Sequence, residues 1–194
     1  MASKFAKALA NKTLGDTKNK AKTETNVAKI ENISISLLDE NPDNETVFNM
    51  DEIEKLERSI TDNGFMGVVE VFKKPDGRYE ISSGHRRVRA VKELIAEGKS
   101  SSDTVPCIVN TMPSDVVRAK KLLDSNITNR EMKPLDWARS IEYYINNVLI
   151  PSGITGKFNQ KCSEYFGIST SSVYKYRVLL DMIEPLQELA DDPR

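Results

Sequence analysis

Cysteine and histidine are scarce in this sequence, and their scarcity excludes several kinds of site. The chain of 194 residues contains two cysteines, Cys107 and Cys162, and one histidine, His85. Structural zinc sites take four cysteine or histidine ligands, so a cysteine-based or multi-histidine metal centre is excluded. Two isolated cysteines also exclude a disulfide framework and fit a reducing cytosol.

Long hydrophobic runs and an excess of charge of one sign are missing too. No apolar stretch approaches the roughly 20 residues that a membrane helix needs, and the amino terminus lacks the apolar core of a signal peptide. The 28 basic and 29 acidic residues give a net charge of −1, so net charge does not indicate a nucleic-acid partner. We expect a cytoplasmic protein without membrane contact, in which only the local charge distribution points to function.

Three regions follow one another along the chain. Residues 1–29 contain seven lysines, two acidic residues and few apolar side chains, which predicts a disordered basic tail. Residues 30–125 alternate between strand and helix patterns, whereas residues 126–194 are helical. The predicted fold class is α+β, with a small mixed α/β domain followed by an all-α domain.

The predicted elements of the α/β part follow from periodicity and turn signals. Alternation of Ile33, Ile35 and Leu37 predicts one strand, and residues 41–44 predict a break in the chain. A capping box of Asn49 and Glu52 predicts a helix start. The remaining predicted elements are a helix end at Gly64, a strand hairpin at 68–73 and 78–82, a helix between Gly84 and Gly98, a strand at 105–109 and a helix from Ser114.

The first candidate site is the segment Ser82 to Ala90, where a predicted strand ends in a small turn and a helix begins. Free backbone N–H groups and the dipole at a helix start favour an anion. Gly84 allows close backbone approach, and Arg86 and Arg87 supply planar donors for phosphate oxygens. The alternative is a basic helix start paired with acidic neighbours. Two cations there oppose the helix dipole, which favours a phosphate site, while His85 alone is more typical of a surface residue than of a catalyst.

The second candidate site is a pair of short helices between Asn159 and Leu180. Gly167 in the turn, a cap at Ser169 or Thr170 and the β-branched Val173 are typical of a helix-turn-helix. Four cations face one acidic residue over positions 155–180, which favours DNA over the alternative of a generic helical hairpin. The side chains expected to contact DNA are Lys161, Ser169, Thr170, Ser171, Ser172, Tyr174, Lys175 and Arg177.

Taken together, these residues resemble the ParB family of chromosome and plasmid partition proteins over about residues 30–190. Gly84 to Ala90 fits the G-x-R-R-x-R-A box of that family. Further similarity lies in the first box of the family, at Ser59-Ile60, Gly64 and Val69-Glu70-Val71, and in its third box, at Ser125-Asn126-Ile127 and Pro134-Leu135.

The resemblance implies a sulfiredoxin-like amino-terminal domain that binds CTP and Mg²⁺, followed by a helix-turn-helix. CTP would close two such domains into a clamp on a centromere-like DNA site, and the basic tail would stimulate a ParA-type ATPase. The full-length protein would dimerise through a carboxy-terminal domain, which we expect to be absent from this chain. The implied nucleotide-binding residues are Gly64, Ser83, Gly84, His85, Arg86, Arg87, Arg89, Asn126 and Arg130, with Asn126 also near the metal.

The chain departs from the family pattern in its third box and near its first strand. Ser125 stands where the family has glutamate, the arginine of the box is either absent at Asn129 or shifted to Arg130, and no Gln-Pro-Arg follows Pro42. Hydrolysis of CTP to CDP is therefore less supported than CTP binding, and no catalytic residue is assigned. The alternative function is a plain DNA-binding repressor or nucleoid-occlusion factor without nucleotide switching.

Overall fold

The computed structural model describes residues 29–48, 50, 53–100, 102–129, 131–182 and 184–191. Three sequence predictions lie outside these residues. They are the basic tail before Lys29, the capping box of Asn49 and Glu52, and the position of Arg130.

Five strands form one mixed sheet in the order β1-β5-β3-β4-β2. The pairs β1–β5 and β3–β4 are antiparallel, whereas β5–β3 and β4–β2 are parallel. The strands are β1 at Ile30–Ser34, β2 at Leu38–Asp39, β3 at Val69–Lys73, β4 at Tyr79–Ser83 and β5 at Thr104–Thr111.

The sheet is curled because its two edge strands are neighbours in the chain. Only a 3₁₀ turn, Ile35–Leu37, joins β1 to β2, and the path from Ser34 to Leu38 spans at most about 14 Å. The edges of a flat five-stranded sheet lie about 19 Å apart. The single strand predicted for 33–37 was therefore wrong: it ends at Ser34, where the chain crosses to the opposite edge and leaves Leu37 exposed.

Eight α-helices are present in the described part of the chain. Helix α1 occupies the segment predicted as a break, because Asn41 Oδ1 accepts a hydrogen bond from Asp43 N at 3.0 Å and Pro42 suits the first helical turn. The helices are α1 at Pro42–Val47, α2 at Ile53–Asn63, α3 at His85–Ala96, α4 at Asp115–Asn129, α5 at Pro134–Tyr144, α6 at Phe158–Phe166, α7 at Thr170–Leu180 and α8 at Glu184–Asp191, with a π-helical turn at Ile145–Leu149 after α5.

Two main hydrophobic cores organise these elements. In the first, α3 packs on the sheet through Val88 and Val91, and Ile60 of α2 packs against the same core. The second core joins α1, α4, α5, α6 and α7, and includes Leu122 and Leu123 of α4. Helix α4 runs through the boundary predicted at 125/126, so one helix is shared by the α/β part and the helical part. The described helices are all too short or too polar to span a bilayer.

Candidate functional site

A glycine turns the chain from β4 into α3 and creates the first site. Gly84 has φ +103° and ψ +16°, in the left-handed region, and directly precedes His85 at the helix start. Val88 N donates to Gly84 O at 3.0 Å, which begins the helical pattern. Among the described residues no side chain caps this end. Backbone N–H groups at a helix start of this kind can bind an anion.

The start of α3 opens into a cavity of about 430 Å³. Six of the residues predicted from the sequence lie in its wall, whereas Gly64, at the end of α2, and Arg89, one turn further along α3, do not. The predicted nucleotide contacts of Gly64 and Arg89 stay predictions. The described lining residues are Asn44, Leu56, Ser83, Gly84, His85, Arg86, Arg87, Ser125 and Asn126.

Arg87 is held at the cavity by neighbouring backbone and by an aromatic ring. Its Nη1 donates to Met66 O at 3.3 Å, and its guanidinium lies 5.9 Å from the centroid of the Phe65 ring. Partial burial lowers the pKa of Arg87 below its ordinary value, although a guanidinium remains charged at neutral pH. The side chain is thus positioned as a partly desolvated cation, a form suited to an anionic ligand.

Gly67 is a site residue that the sequence interpretation missed. Its φ is +83°, and a Cβ placed on it would lie 2.7 Å from Nη1 of Arg87. A Cβ on Gly84 would lie 3.3 Å from Nη2 of the same arginine. The two glycines therefore leave room for the guanidinium. In the sequence, Gly67 was marked only by its position between Phe65 and the strand predicted at 68–73.

The described wall of the cavity carries two cationic side chains. Arg86 and Arg87 both line it, and none of its described lining residues is acidic. In a partly enclosed space such charges are less screened than on an open surface. The arrangement therefore favours a compact anion at the start of α3.

His85 is buried, contrary to the expectation of a surface residue. It is 4% exposed, because it lies three residues before Val88 on the face of α3 that packs against the sheet. Burial lowers its pKa from 6.5 to about 4, so the imidazole is neutral at pH 7. Within the described structure its Nε2 has no hydrogen-bond partner.

The far wall of the cavity consists of amide and hydroxyl groups. Asn126 Nδ2 donates to Leu122 O at 3.0 Å and to Asn44 Oδ1 at 3.4 Å. Ser125 Oγ donates to Leu122 O at 3.0 Å and to Ser82 O at 3.4 Å. These groups can recognise a polar ligand through a few hydrogen bonds.

The predicted Mg²⁺ site would lie at this wall, near Asn126. Mg²⁺ in proteins is held by one or two carboxylates together with ligand phosphates. No cluster of three potential ligands among histidine, cysteine and acidic residues occurs in the described part of the chain. Near Asn126 the described lining residues offer only hydroxyl and amide oxygens. They do not fit a metal site built by the protein itself.

At the second candidate site, a glycine turn and a serine cap lie between α6 and α7. Gly167, with φ +68°, ends α6, and Ser169 Oγ caps α7 by accepting from Ser172 N at 3.0 Å. Ser163 Oγ donates to Ile168 O at 2.6 Å across the turn. Val173 of α7 is fully buried in the core that α6 shares. The two helices are therefore fixed relative to each other.

The polar side chains of α6 and α7 differ in their exposure and in their contacts within the chain. Arg177 Nε donates to Glu142 Oε1 at 2.7 Å and its Nη1 donates to Asn159 Oδ1 at 2.9 Å, so this arginine joins helices within the chain. Ser172 is half-buried. The side chains on the exposed surface are Lys161, which pairs with Glu164 at 3.0 Å, and Ser169, Thr170, Ser171, Tyr174 and Lys175.

Two curated proteins are similar to this chain over part of its length. The chain is 28% identical over 143 residues to the nucleoid occlusion protein of Listeria monocytogenes, covering 74% of this chain and 45% of that protein. It is 32% identical over 90 residues to the probable chromosome-partitioning protein ParB of Pseudomonas putida, covering 46% of this chain and 29% of that protein. The chain thus spans less than half the length of these curated relatives.

A solved structure shows the same fold. The C-terminally truncated chromosome-partitioning protein ParB from Caulobacter crescentus, complexed to the centromeric parS site, matches with a TM-score of 0.53 and 22% identity. The match covers 81% of this chain and 75% of that one. Residues 18–126, more than half of the chain, match the family model of the ParB N-terminal domain. The chain therefore belongs to the ParB N-terminal domain family.

Proposed function

We propose that this chain is a ParB-like partition protein, in which a nucleoside triphosphate at the start of α3 controls DNA binding by α6 and α7. One observation carries the nucleotide part of the proposal. The start of α3, at which no described side chain forms a cap, opens into a cavity of about 430 Å³ that is lined by Arg86 and Arg87 and whose described wall contains no acidic residue. A cavity of this size suits a nucleotide.

The proposed binding mode follows from the contacts of the cavity. The triphosphate takes the first N–H groups of α3 and the guanidinium groups of Arg86 and Arg87. Leu56, Asn44 and Asn126 also line the cavity, and we assign them to the nucleoside. The choice of CTP rests on the resemblance of the Gly84 to Ala90 box to the family.

Mg²⁺ and hydrolysis are not part of this proposal. The described wall supplies no carboxylate for a metal, and Ser125 stands where the family has glutamate. We therefore propose nucleotide binding as the switch, and CTPase activity stays a prediction.

The proposed helix-turn-helix consists of α6 and α7. Thr170, Ser171 and Lys175 are exposed at and after the start of α7, where a recognition helix presents hydrogen-bonding groups to base edges. A shallow cavity of about 380 Å³ at the start of α6 contains Lys157 and Arg177 in its wall. We assign this cavity to the DNA backbone, so that Lys157 contacts a phosphate, and we assign a second phosphate contact to Lys161, which is exposed further along α6.

The biological role follows from the named relatives. The Caulobacter protein is complexed to a centromeric site and the Pseudomonas protein is named for chromosome partitioning. We infer a cytoplasmic, nucleoid- or plasmid-associated role, a homodimeric full-length protein and a ParA-type ATPase partner for the basic tail. A nucleoid-occlusion role is the second candidate, because the Listeria relatives carry that name.

Calorimetric titration with CTP, ATP, GTP and UTP tests the nucleotide assignment. We expect selective binding of CTP. Arg87→Ala should weaken that binding by about 1.5–3 kcal/mol, because it removes a charge-assisted contact. Arg58→Ala is the matched control, since Arg58 is an exposed cation of α2 that does not line the cavity. Equal affinities of the parent and folded Arg87→Ala would overturn the assignment.

A further inference from the structure

The third arginine of the box, Arg89, contacts carboxylates on both sides of the start of α1. Its Nη2 donates to Glu40 Oε2 at 2.6 Å and also to Glu45 Oε1. Lys92 Nζ, from the next turn of α3, donates to Glu40 Oε1 at 3.0 Å. Glu40 directly precedes Asn41, the residue that caps α1, and Glu45 lies within the helix. Arg89 therefore binds α3 to α1 at two points.

These ion pairs are partly shielded from water. The side chains of Arg89 and Glu40 are 27% and 23% exposed. Burial alone would raise the pKa of Glu40, but its hydrogen bonds with Lys92 and Arg89 lower it below the ordinary value. Glu45 is more exposed. Both carboxylates raise the pKa of the Arg89 guanidinium, so both ion pairs hold it in place.

Helix α1 depends on such outside contacts for its position. It has six residues, too few for a helix that is stable on its own. On the other side of α1, Tyr143 Oη donates to Asp43 Oδ2 at 2.7 Å. Between these anchors lies Asn44, 3% exposed, which lines the cavity and accepts a hydrogen bond from Asn126. A shift of α1 would move Asn44 within the cavity wall.

We propose that Arg89 is a positioning residue that acts through Glu40 and Glu45 to hold α1, and with it Asn44, against the nucleotide cavity. It does not contact the nucleotide. The inference rests on the proposed function in assigning the cavity to CTP. It departs from the direct phosphate contact that the arginine box implies for Arg89, since the described cavity wall contains Arg86 and Arg87 but not Arg89.

A double-mutant cycle measured by CTP calorimetry tests this pathway. If Arg89 acts through Asn44, Arg89→Ala and Asn44→Ala should each raise the Kd for CTP about tenfold, and the double variant should be little worse than either one. In the control cycle, the increases in Kd caused by Arg87→Ala and Asn44→Ala should multiply in the double variant, because Arg87 contacts the ligand itself. Arg89→Lys, which keeps a cation near Glu40, should recover part of the affinity. If the increases in Kd caused by Arg89→Ala and Asn44→Ala multiply in the double variant, the proposal is overturned.

Amide hydrogen exchange of the nucleotide-free protein provides a second readout that does not depend on CTP. Arg89→Ala should speed exchange of the α1 amides about tenfold, with β3 unchanged, whereas Arg87→Ala should leave α1 as in the parent. If the parent binds no nucleotide, the proposed function fails while this measurement still decides the role of Arg89. Unchanged exchange of α1 in Arg89→Ala would overturn the positioning role.

Discussion

The cavity at the start of α3 and the helix pair α6–α7 both carry basic residues, but they use them differently. Arg86 and Arg87 both line one cavity, whose described wall contains no acidic residue. In the helix pair, Lys161 and Arg177 each pair with a glutamate of the chain. Concentrated charge suits a small anion, whereas short exposed hydroxyl groups with few cations suit the reading of base edges.

The two regions also differ in how the chain assembles them. The helix pair is one continuous stretch from Phe158 to Leu180, stabilised by a shared apolar core. The cavity draws on α1, α2, β4, α3 and α4, and it requires glycine at two positions near Arg87. Substitutions in the apolar core should therefore disrupt the helix pair, whereas substitutions that change backbone conformation or charge should disrupt the cavity.

The largest effect should come from the core of the helix pair. Val173 is 0% exposed whereas Val117 on α4 is 46% exposed. Val173→Asp places a carboxylate in an apolar core and should lower the free energy of unfolding by about 3–5 kcal/mol. Val117→Asp should change it by less than about 0.5 kcal/mol. Urea denaturation followed by circular dichroism measures both changes. An average substitution lowers the free energy of unfolding by about 1 kcal/mol, so a loss below about 1 kcal/mol for Val173→Asp would contradict the packing described.

A pH effect of about 3 kcal/mol is expected from His85. The pKa of the buried imidazole is about 4, against 6.5 for an exposed histidine. Between these pH values the unfolded chain binds a proton that the folded protein does not, so stability is complete above pH 6.5 and falls as the pH approaches 4. Urea titrations of the parent and His85→Gln across this range isolate the effect. Parallel curves for the two proteins would show that His85 is not responsible.

A smaller effect is expected from alanine at two glycines, and it distinguishes backbone strain from displacement of Arg87. Gly67 and Gly77 have φ of +83° and +85°, but only at Gly67 would a Cβ meet Arg87, and no described atom lies within 4 Å at Gly77. Alanine at either position should cost about 1 kcal/mol of stability. Only Gly67→Ala should also weaken CTP binding, by about tenfold. Thermal denaturation measures the stability of the two variants and calorimetry measures their CTP affinity. Equal CTP affinities of Gly67→Ala and Gly77→Ala would show that Gly67 does not contribute to the site.

The smallest effects concern single polar groups on the helix pair. Ser172→Ala should change the preference among DNA sequences, whereas Lys161→Ala should weaken all DNA by about 0.5–1 kcal/mol. Binding measured by fluorescence anisotropy on a set of variant sites, at two salt concentrations, distinguishes the two outcomes. A Ser172→Ala/Lys175→Ala double variant that binds its preferred site as well as the parent would exclude α7 as the reading helix.

Local patterns predicted much of the fold and the part of the site that is local in sequence. The β3–β4 hairpin and the turn at Gly84 were predicted because they depend on neighbouring residues. Helix α1 was missed, although Asn41-Pro42 also fits an N-cap followed by a first helical position. The crossing between β1 and β2 was missed because its cause is the pairing of β1 with β5, far along the chain.

The parts of the site that sequence did not predict arise from long-range contacts. Asn44 and Leu56 reach the cavity only because α1 and α2 fold over the start of α3. Arg89 lies within a phosphate-binding pattern, yet its partners Glu40 and Glu45 are 49 and 44 residues away in the chain. Spacing along the chain could not reveal that this arginine faces carboxylates rather than the cavity.

The single histidine of the chain allows the most direct test of CTP binding at the start of α3. His85 lines the cavity and is the only histidine of the chain, so its imidazole resonances in an NMR spectrum report on this place alone. They should shift saturably with CTP, at the Kd found by calorimetry, but not with cytidine or in Arg87→Ala. Unchanged His85 resonances at CTP concentrations that saturate the calorimetric signal would show that the nucleotide binds elsewhere.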